Sequence, residues 1–143
     1  MTIGRALLDT AVFVYAVGID HPYRAPCRQL LNPDSLRAYS GEASVQAIQE
    51  LLHQRARRTG DRTGAVAIAE AASVLCVLHA LTEDDLRMGM RLFDRAPGLS
   101  GRDALHAATA INRGIPAIIS PDRAFDDVPG LHRFDPVDAA ALL

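Results

Sequence analysis

The chain contains no lysine and no tryptophan, and only two of its 143 residues are cysteine. All fifteen basic residues are arginine. The absence of lysine excludes a P-loop nucleotide-binding protein, a Schiff-base enzyme and a receiver-type phosphoacceptor domain, because each needs a lysine side chain. The two cysteines, Cys27 and Cys76, lie in apolar or helical contexts without the spacing of metal ligands. This predicts buried, reduced thiols and no disulfide.

Long apolar runs are missing as well, since no stretch reaches the ~18–20 apolar residues that a membrane span requires. Asp9 interrupts the apolar stretch from Ala6 to Ile19, and no clear small-residue cleavage site follows it. We therefore interpret this stretch as a buried strand that leads into a helix and not as a signal peptide. These features predict a cytoplasmic protein without a membrane segment.

The composition is typical of one globular domain that covers residues 1–143. Hydrophobic residues make up 49% of the chain and charged residues 22%, which are values of a folded domain and not of a disordered tail. The net charge of -2 does not indicate a nucleic-acid-binding protein, although a local rim of arginines would be sufficient for one.

Apolar segments predict strands, and the amphipathic or alanine-rich segments between them predict helices. The predicted strands are Ile3–Leu8, Leu36–Ser40, Val74–Leu78, Ile115–Ser120 and His132–Phe134. The predicted helices are Ala11–Val17, a second one up to Leu31, Ala43–Arg58, Thr63–Ser73, Glu83–Arg95, Gly101–Asn112 and a last helical turn from Pro136. Strands that alternate with helices, without hairpin signals, indicate right-handed crossovers and a parallel sheet. The predicted fold is an α/β domain, a three-layer α/β/α sandwich with a mainly parallel central sheet.

Four acidic residues lie near the predicted ends of these elements. Asp9 directly follows the first strand, Asp122 follows the fourth, and Asp103 lies in the first turn of the Gly101–Asn112 helix. Glu50 lies inside a helix, at the margin of its buried face, where an unpaired carboxylate is costly. Ligand sites of open parallel sheets lie beyond the carboxyl ends of the strands, so we expect these acids to converge there.

Clustered carboxylates without histidine or cysteine partners suit a hard cation with oxygen ligands, Mg²⁺ or Mn²⁺. Such an ion can activate water and stabilise charge on a phosphodiester. An acid in a first helical turn also interacts favourably with the helix dipole, so Asp103 by itself does not identify a site. The spacing therefore leaves open whether the acids form a metal centre.

Four motifs resemble the successive motifs of PIN-domain ribonucleases. They are Leu7-Leu8-Asp9-Thr10, Glu50-Leu51, Arg102-Asp103-Ala104-Leu105-His106-Ala107-Ala108 and Ser120-Pro121-Asp122-Arg123-Ala124-Phe125. The third motif is the most specific, whereas Glu50 alone is a weak signal. The resemblance extends from Leu7 to about Phe134, and the chain length is similar to that of VapC-type toxins of toxin–antitoxin pairs. A PIN-like fold is implied for the whole chain.

The resemblance also implies which residues form the site. Asp9, Glu50, Asp103 and Asp122 would be the acidic residues that bind Mg²⁺ or Mn²⁺ and support catalysis. Thr10 would order the first acid or a water molecule. Two departures from the family pattern, Ser120 and Pro121, make Asp122 the least secure ligand, and Asp126 could supplement or replace it.

The implied function is metal-dependent endonucleolytic cleavage of RNA by the toxin of a toxin–antitoxin pair. The implied partners are an RNA substrate (tRNA, rRNA or mRNA), a cognate antitoxin protein and a second copy of the chain. A non-catalytic PIN-like module that binds RNA or protein is the alternative. A haloacid-dehalogenase-like phosphatase is disfavoured, because Ala11 stands where its second aspartate is needed and lysine is absent. A dinucleotide-binding domain is disfavoured because Gly-x-Gly-x-x-Gly does not occur.

Several other polar residues allow both a structural and a functional interpretation. His106 shares a helical face with Asp103 and could touch the site, but we expect a packed or solvent-edge histidine. Glu42 is expected in the first turn of the helix that contains Glu50. A group of arginines suits either an RNA-binding rim or a solvated helix end, and comprises Arg55, Arg57, Arg58 and Arg62.

Overall fold

The computed structural model describes all 143 residues, and its central element is a five-stranded sheet in which every neighbouring pair is parallel. The strands are β1 (Arg5–Leu8), β2 (Ser40–Ser44), β3 (Val77–His79), β4 (Ala117–Ile119) and β5 (His132–Phe134). Their order in the sheet is β3-β2-β1-β4-β5. Strand β1 is therefore central, with β2 and β3 on one side of it and β4 and β5 on the other. The predicted parallel α/β fold is confirmed.

Eight helices connect and flank these strands. They are α1 (Thr10–Val17), α2 (Arg24–Leu30), α3 (Ser35–Ala38), α4 (Val45–Thr59), α5 (Arg62–Leu75), α6 (Glu83–Arg95), α7 (Gly101–Asn112) and α8 (Pro136–Ala141). A 3-10 helix, Arg123–Asp127, follows β4. None of the helices is both long and apolar enough to cross a membrane.

The two faces of the sheet carry separate apolar clusters. The first cluster contains Leu8, Val12, Phe13 and Leu51 and packs α1, α2, α4 and α8 on one face. The second contains Leu7 and Phe125 and packs α6 and α7 on the other. Leu7 and Leu8 are neighbours on β1 and point to opposite faces, as the period of two in a strand requires. The sheet is thus the middle of three layers.

Helices α6 and α7 begin at the predicted residues because each has a strong N-terminal cap. The Thr82 hydroxyl accepts a hydrogen bond from the Asp85 amide, and the Asp85 carboxylate accepts one from the Thr82 amide. This reciprocal pair is a capping box. In α7, the Ser100 hydroxyl accepts a hydrogen bond from the Asp103 amide at 3.1 Å. Both helices also end at the predicted residues.

The second strand begins later in the chain than the sequence predicts. Leu36 belongs to the single turn of α3, and β2 begins only at Ser40. The sequence of β2 is Ser-Gly-Glu-Ala-Ser, which contains no β-branched or aromatic residue and therefore gives no strand signal. Its position between β1 and β3 determines its conformation. The prediction that Glu42 begins a helix is therefore wrong.

The third predicted strand was also misplaced. Val74 and Leu75 close α5, and β3 starts at Val77. Because β3 is an edge strand, Val77 and Leu78 remain 50% and 41% exposed instead of being buried. A short apolar run does not distinguish the end of a helix from a strand, nor an edge strand from a central one.

Candidate metal centre

The carboxyl ends of three adjacent strands form the floor of the site. Asp9 directly follows β1, Ser44 is the last residue of β2, and Ser120 follows β4. The Asp9 amide donates a hydrogen bond to the Ile119 carbonyl at 3.1 Å, which continues the ladder between β1 and β4 past the last paired residue. Asp9 and Ser120 therefore lie side by side at this edge.

Asp9 occupies the N-cap position of α1, but its carboxylate does not cap the helix. The Ser120 hydroxyl donates a hydrogen bond of 2.6 Å to Asp9 Oδ2. The residue is only 7% exposed, and this burial raises the pKa of its carboxyl group against the opposing effects of His106 and Ser120. Asp9 is thus a desolvated carboxylate that Ser120 holds in one orientation.

Asp103 faces Asp9 from the first turn of α7. Its backbone amide is already satisfied by Ser100, so the carboxylate is not needed as a cap. Burial, the negative charge of Asp9 and a hydrogen bond with Asp122 together raise the pKa of Asp103 to about 6. Crowded carboxylates of this kind favour a proton or a cation among them.

His106 lies one turn after Asp103 and is completely buried, so the expectation of a packed histidine is correct. It also lies at the site, which was the less favoured of the two interpretations. Donor atoms of Asp9, Asp103 and His106 all lie within 4.8 Å of one another. The ring nitrogens are engaged elsewhere, with Nδ1 lying 3.3 Å from the Ser44 hydroxyl and Nε2 lying 3.4 Å from the Thr10 hydroxyl.

Glu50 reaches the site from α4 and is held by several donors. The Thr10 hydroxyl donates a hydrogen bond of 2.6 Å to Glu50 Oε2, and His106 Nε2 lies 3.7 Å from the same oxygen. Arg102 Nε lies 3.9 Å from the other oxygen, Oε1. Burial opposes ionisation of Glu50, but the nearby His106 and the hydrogen bond from Thr10 outweigh it and lower the pKa. Glu50 is therefore an anion that its neighbours neutralise.

The two acids after β4 are placed differently. Asp122 interacts with Asp103, and its amide donates a hydrogen bond of 3.0 Å to the Ser120 hydroxyl. Its Oδ1 accepts a hydrogen bond of 2.9 Å from the Ala124 amide and so caps the 3-10 helix. Asp126 forms an ion pair with Arg133 at 2.8 Å, and this pairing lowers its pKa. The carboxylate of Asp126 is thus committed to Arg133 at the margin of the site.

The structure brings the four predicted acids to one edge of the sheet, with Asp9 and Asp103 at the centre and Glu50 and Asp122 beside them. Thr10 orders Glu50 and not Asp9, whose partner is Ser120. The Ser120 hydroxyl thus contacts both Asp9 and Asp122, and the Thr10 hydroxyl contacts Glu50. Sequence reasoning missed the contributions of Ser44 and Arg102 and favoured a packing role for His106; for the last two residues, the signal is proximity to Asp103 in the chain.

Four arginines were predicted to form either an RNA-binding rim or a solvated helix end, and they take no part in these contacts. Arg55 is partly buried and donates a hydrogen bond of 3.1 Å to the Val17 carbonyl, which ties α4 to the end of α1. Arg57, Arg58 and Arg62 form no ion pair. Arg55 is therefore structural, and the other three are free cations at the junction of α4 and α5.

The chain thus belongs to the class of parallel three-layer α/β domains that carry a cluster of carboxylates at the carboxyl edge of the sheet. The sequence profile of the PIN domain matches residues 6–131. The chain belongs to the PIN-domain family. This confirms the family that the four motifs indicated.

Relatives from mycobacteria are similar over most of the chain. Ribonuclease VapC7 of Mycobacterium tuberculosis is 37% identical over 139 residues, which cover 96% of this chain and 94% of that protein. Ribonuclease VapC23 of the same species is 36% identical over 117 residues, which cover 78% of this chain and 87% of that protein.

Solved structures share the fold at lower identity. The crystal structure of M. tuberculosis VapC20, described as a sarcin-ricin loop cleaving toxin, aligns with a TM-score of 0.69 at 20% identity and covers 85% of this chain and 92% of that one. VapBC2 from Rickettsia felis, bound to a promoter DNA fragment, aligns with a TM-score of 0.69 at 14% identity and covers 92% of this chain and 99% of that one. These matches confirm the three-layer architecture.

Proposed function

We propose that the chain is a divalent-metal-dependent endoribonuclease and acts in the cytoplasm as the toxin of a toxin–antitoxin pair. The observation that carries this proposal is the convergence of Asp9 and Asp103, with His106, at the carboxyl edge of the sheet. Membership of the PIN-domain family and relatives named ribonucleases support the same function.

The residues at this edge fit a hard cation. Asp9 and Asp103 supply oxygen donors, and the raised pKa of both groups reflects burial of their charge, to which neighbouring carboxylates add; a cation would relieve both effects. We propose that Asp9, Asp103 and Asp122 hold Mg²⁺ or Mn²⁺ and that Glu50 completes the acidic site. Both nitrogens of His106 already contact hydroxyl groups, so we assign it a positioning role and not that of a ligand.

The bound ion would supply an activated water and charge neutralisation on the phosphodiester. The chain supplies the geometry around it. Ser120 fixes Asp9, and Thr10 with His106 fixes Glu50, so the carboxylates are oriented before substrate arrives. Preorganised groups of this kind contribute to catalysis because no reorganisation is needed during the reaction.

The antitoxin partner is supported by structures of the same fold. Related chains were solved as a toxin–antitoxin complex from Klebsiella pneumoniae and as VapBC-5 from M. tuberculosis, with TM-scores of 0.67 and 0.61. We propose that a cognate antitoxin binds this chain and inhibits it, and that the chain forms a homodimer. A non-catalytic binding module is less well supported, because it gives no reason to keep Asp9 and Asp103 desolvated and close together.

The first test is cleavage of a mixed pool of tRNA and rRNA by the purified, antitoxin-free chain. We expect discrete cuts with Mg²⁺ or Mn²⁺, no cuts with EDTA, and a loss of at least about 100-fold in rate for Asp103→Asn. Asp127→Asn is the matched control, because Asp127 is an exposed acid just after the site and makes no side-chain contact. It should cleave like the parent chain.

Two results would contradict the proposal. Equal cutting by the parent chain and Asp103→Asn would point to a contaminating nuclease. Absence of cutting, together with no metal bound in calorimetry, would favour the non-catalytic module. Mapping the ends of discrete cuts would identify the RNA and the position of cleavage.

A further inference from the structure

Three aromatic side chains form a cluster where the chain passes from α1 to α2. The rings of Tyr15 and His21 stack, with centroids 4.5 Å apart and an angle of 29° between the planes. Tyr23 lies 5.6 Å from His21 and 5.3 Å from Tyr15. Tyr15 and Tyr23 are half-buried against the first apolar cluster, whereas His21 is exposed. The cluster therefore presents the exposed ring of His21 to solvent on top of two partly buried tyrosines.

Two hydrogen bonds hold the rings of this aromatic cluster in place. The Tyr23 hydroxyl donates to Asp135 Oδ2 at 2.6 Å, and the Tyr23 amide donates to His21 Nδ1 at 3.1 Å. The second bond orients the imidazole although the residue lies in a connection between helices. A ring that is already ordered loses little conformational entropy when a ligand stacks on it.

The aromatic cluster lies at the same sheet edge as the acidic site. Asp135 directly follows β5, and the Phe134 carbonyl accepts a hydrogen bond of 3.0 Å from the Ser120 amide. Asp9 is next to Ser120 in turn. Because adjacent strands are about 4.8 Å apart, Asp135 lies on the order of 10 Å from Asp9. The Tyr23 hydroxyl contacts Asp135, so the rings lie one tyrosine side chain away from this point and an extended RNA strand can reach both sites.

Arg24 is a cation adjacent to the aromatic cluster in the chain. It directly follows Tyr23 and is half-buried, and its Nε atom is shielded from solvent without a hydrogen-bond partner. No carboxylate pairs with its guanidinium group. An unpaired arginine next to an aromatic surface suits a phosphate that adjoins a stacked base.

We propose that the aromatic cluster Tyr15–His21–Tyr23 is a stacking platform for an unpaired base of the RNA substrate, and that Arg24 contacts the adjacent phosphate. This inference rests on the proposed ribonuclease function and specifies its substrate class. Bases in a duplex have no free faces, so the platform selects single-stranded or looped RNA. Stacking accepts any base, so the selection concerns RNA structure more than sequence.

The test compares binding of a fluorescein-labelled single-stranded RNA of twelve uridines with binding of a twelve-base-pair RNA duplex, measured by fluorescence anisotropy. The Asp103→Asn background prevents cleavage. His21→Asn removes the ring but keeps an acceptor for the Tyr23 amide, and His21→Tyr keeps a ring. We expect His21→Asn to weaken single-strand binding about tenfold, in line with the loss of one stacked base, with duplex binding unchanged. His21→Tyr should retain the parent affinity.

Phe93→Leu is the matched control, because Phe93 is an exposed aromatic ring on the opposite face of the sheet. It should leave both affinities unchanged, and circular dichroism should show that every variant is folded. Unchanged single-strand binding by His21→Asn, or equal loss on both RNAs, would overturn the platform while leaving the nuclease intact. If the parent chain neither binds nor cleaves RNA, the proposed function fails and the platform fails with it.

Discussion

Asp103 shows how the acidic site affects stability as well as chemistry. Its carboxyl group is half-buried beside Asp9 and Asp122, and its pKa is about 6. An unfolded aspartate titrates near 4, so between about pH 4 and pH 6 the metal-free folded chain binds more protons than the unfolded chain. The free energy of unfolding should therefore fall as the pH rises through this window.

We predict that Asp103→Asn stabilises the metal-free protein at about pH 7, because the amide removes a repelled negative charge. The expected gain is on the order of 1 kcal/mol, after allowance for solvent screening of a half-exposed group. Urea denaturation with EDTA between about pH 4.5 and pH 7.5 measures it. The variant should lose the part of this fall that Asp103 contributes and keep the part from Asp9, whose pKa is also raised. A slope like that of the parent chain would contradict the assignment.

With Mg²⁺ present, the parent chain should become more stable than Asp103→Asn. An ion that binds the folded chain alone raises its apparent stability, about 2.7 kcal/mol at a concentration 100-fold above the dissociation constant. We predict a higher melting temperature with Mg²⁺ for the parent chain and a much smaller shift for Asp103→Asn. Asp127→Asn should behave like the parent chain. Equal shifts in all three proteins would place the metal elsewhere.

At the scale of secondary-structure elements, Asp85 links α6 to the end of α7. It is fully buried, accepts hydrogen bonds of 2.8 Å from both terminal nitrogens of Arg113, and accepts one of 2.9 Å from Asn112. Burial opposes its charge, but the hydrogen bonds from Arg113, Asn112 and Thr82 outweigh burial and hold its pKa well below the usual range. One side chain therefore serves a capping box and an ion pair.

We predict that Asp85→Asn lowers the free energy of unfolding by about 3 kcal/mol at about pH 7, because it leaves Arg113 without its counter-charge. Since the folded pKa is depressed, this stabilisation is present above the unfolded pKa near 4 and is lost as the pH falls below it. Urea denaturation at about pH 7 and about pH 3 should show the difference from the parent chain shrinking.

Asp84→Asn is the matched control for this substitution. Asp84 is adjacent in the same helical turn, but its side chain is 86% exposed and pairs only with Arg87. Exposed pairs contribute at most about 1 kcal/mol, so a small effect is expected at either pH. If Asp84→Asn lowered the free energy of unfolding as much as Asp85→Asn, the loss would come from removing a negative charge in the first turn of α6. It would then not come from the buried pair of Asp85 and Arg113.

The elements also show which parts of the fold could be predicted from the sequence. Helices α6 and α7 were predicted to the residue because their caps are local, each formed by residues three apart. Strand β2 was misplaced because its burial depends on β1 and β3, which are distant in the chain. Glu42 illustrates the difference, since its partners Arg5 and His79 are each 37 residues away.

The same reasoning applies to the candidate site. The position of Asp9 and Asp122 at one edge of the sheet could be predicted because both follow strands whose carboxyl ends meet there. That the four acids form a metal site was implied by the resemblance to PIN-domain ribonucleases and stays a prediction. The partners of these acids could not be predicted, because the contact of Thr10 with Glu50 depends on the packing of α1 against α4. Which acid a hydroxyl group orients is decided by side-chain packing, which no local pattern records.

At the scale of the whole molecule, the sheet joins two apolar clusters into one structure. We predict that residues 1–143 unfold in a single cooperative transition, because β1 contributes Leu8 to one cluster and Leu7 to the other. All three tyrosines lie in or against the first cluster. Tyrosine fluorescence therefore reports that face of the sheet, while far-ultraviolet circular dichroism reports the helices on both faces.

Coincident urea transitions from the two signals are expected. A tyrosine transition at lower urea than the circular dichroism transition would show that the first face unfolds separately from α6 and α7. In that case residues 1–143 would not behave as one folding unit.

The pairing of β1 with β4 has a consequence for synthesis on the ribosome. Asp9 and Ser120 touch in the folded chain but are 111 residues apart in sequence, and Asp122 lies beyond both. A nascent chain that still lacks β4 has Asp9 without its serine partner and without Asp122. The nuclease should therefore be inactive while its first strand leaves the ribosome, and its site is complete only after Asp122 has been translated and β4 has paired with β1.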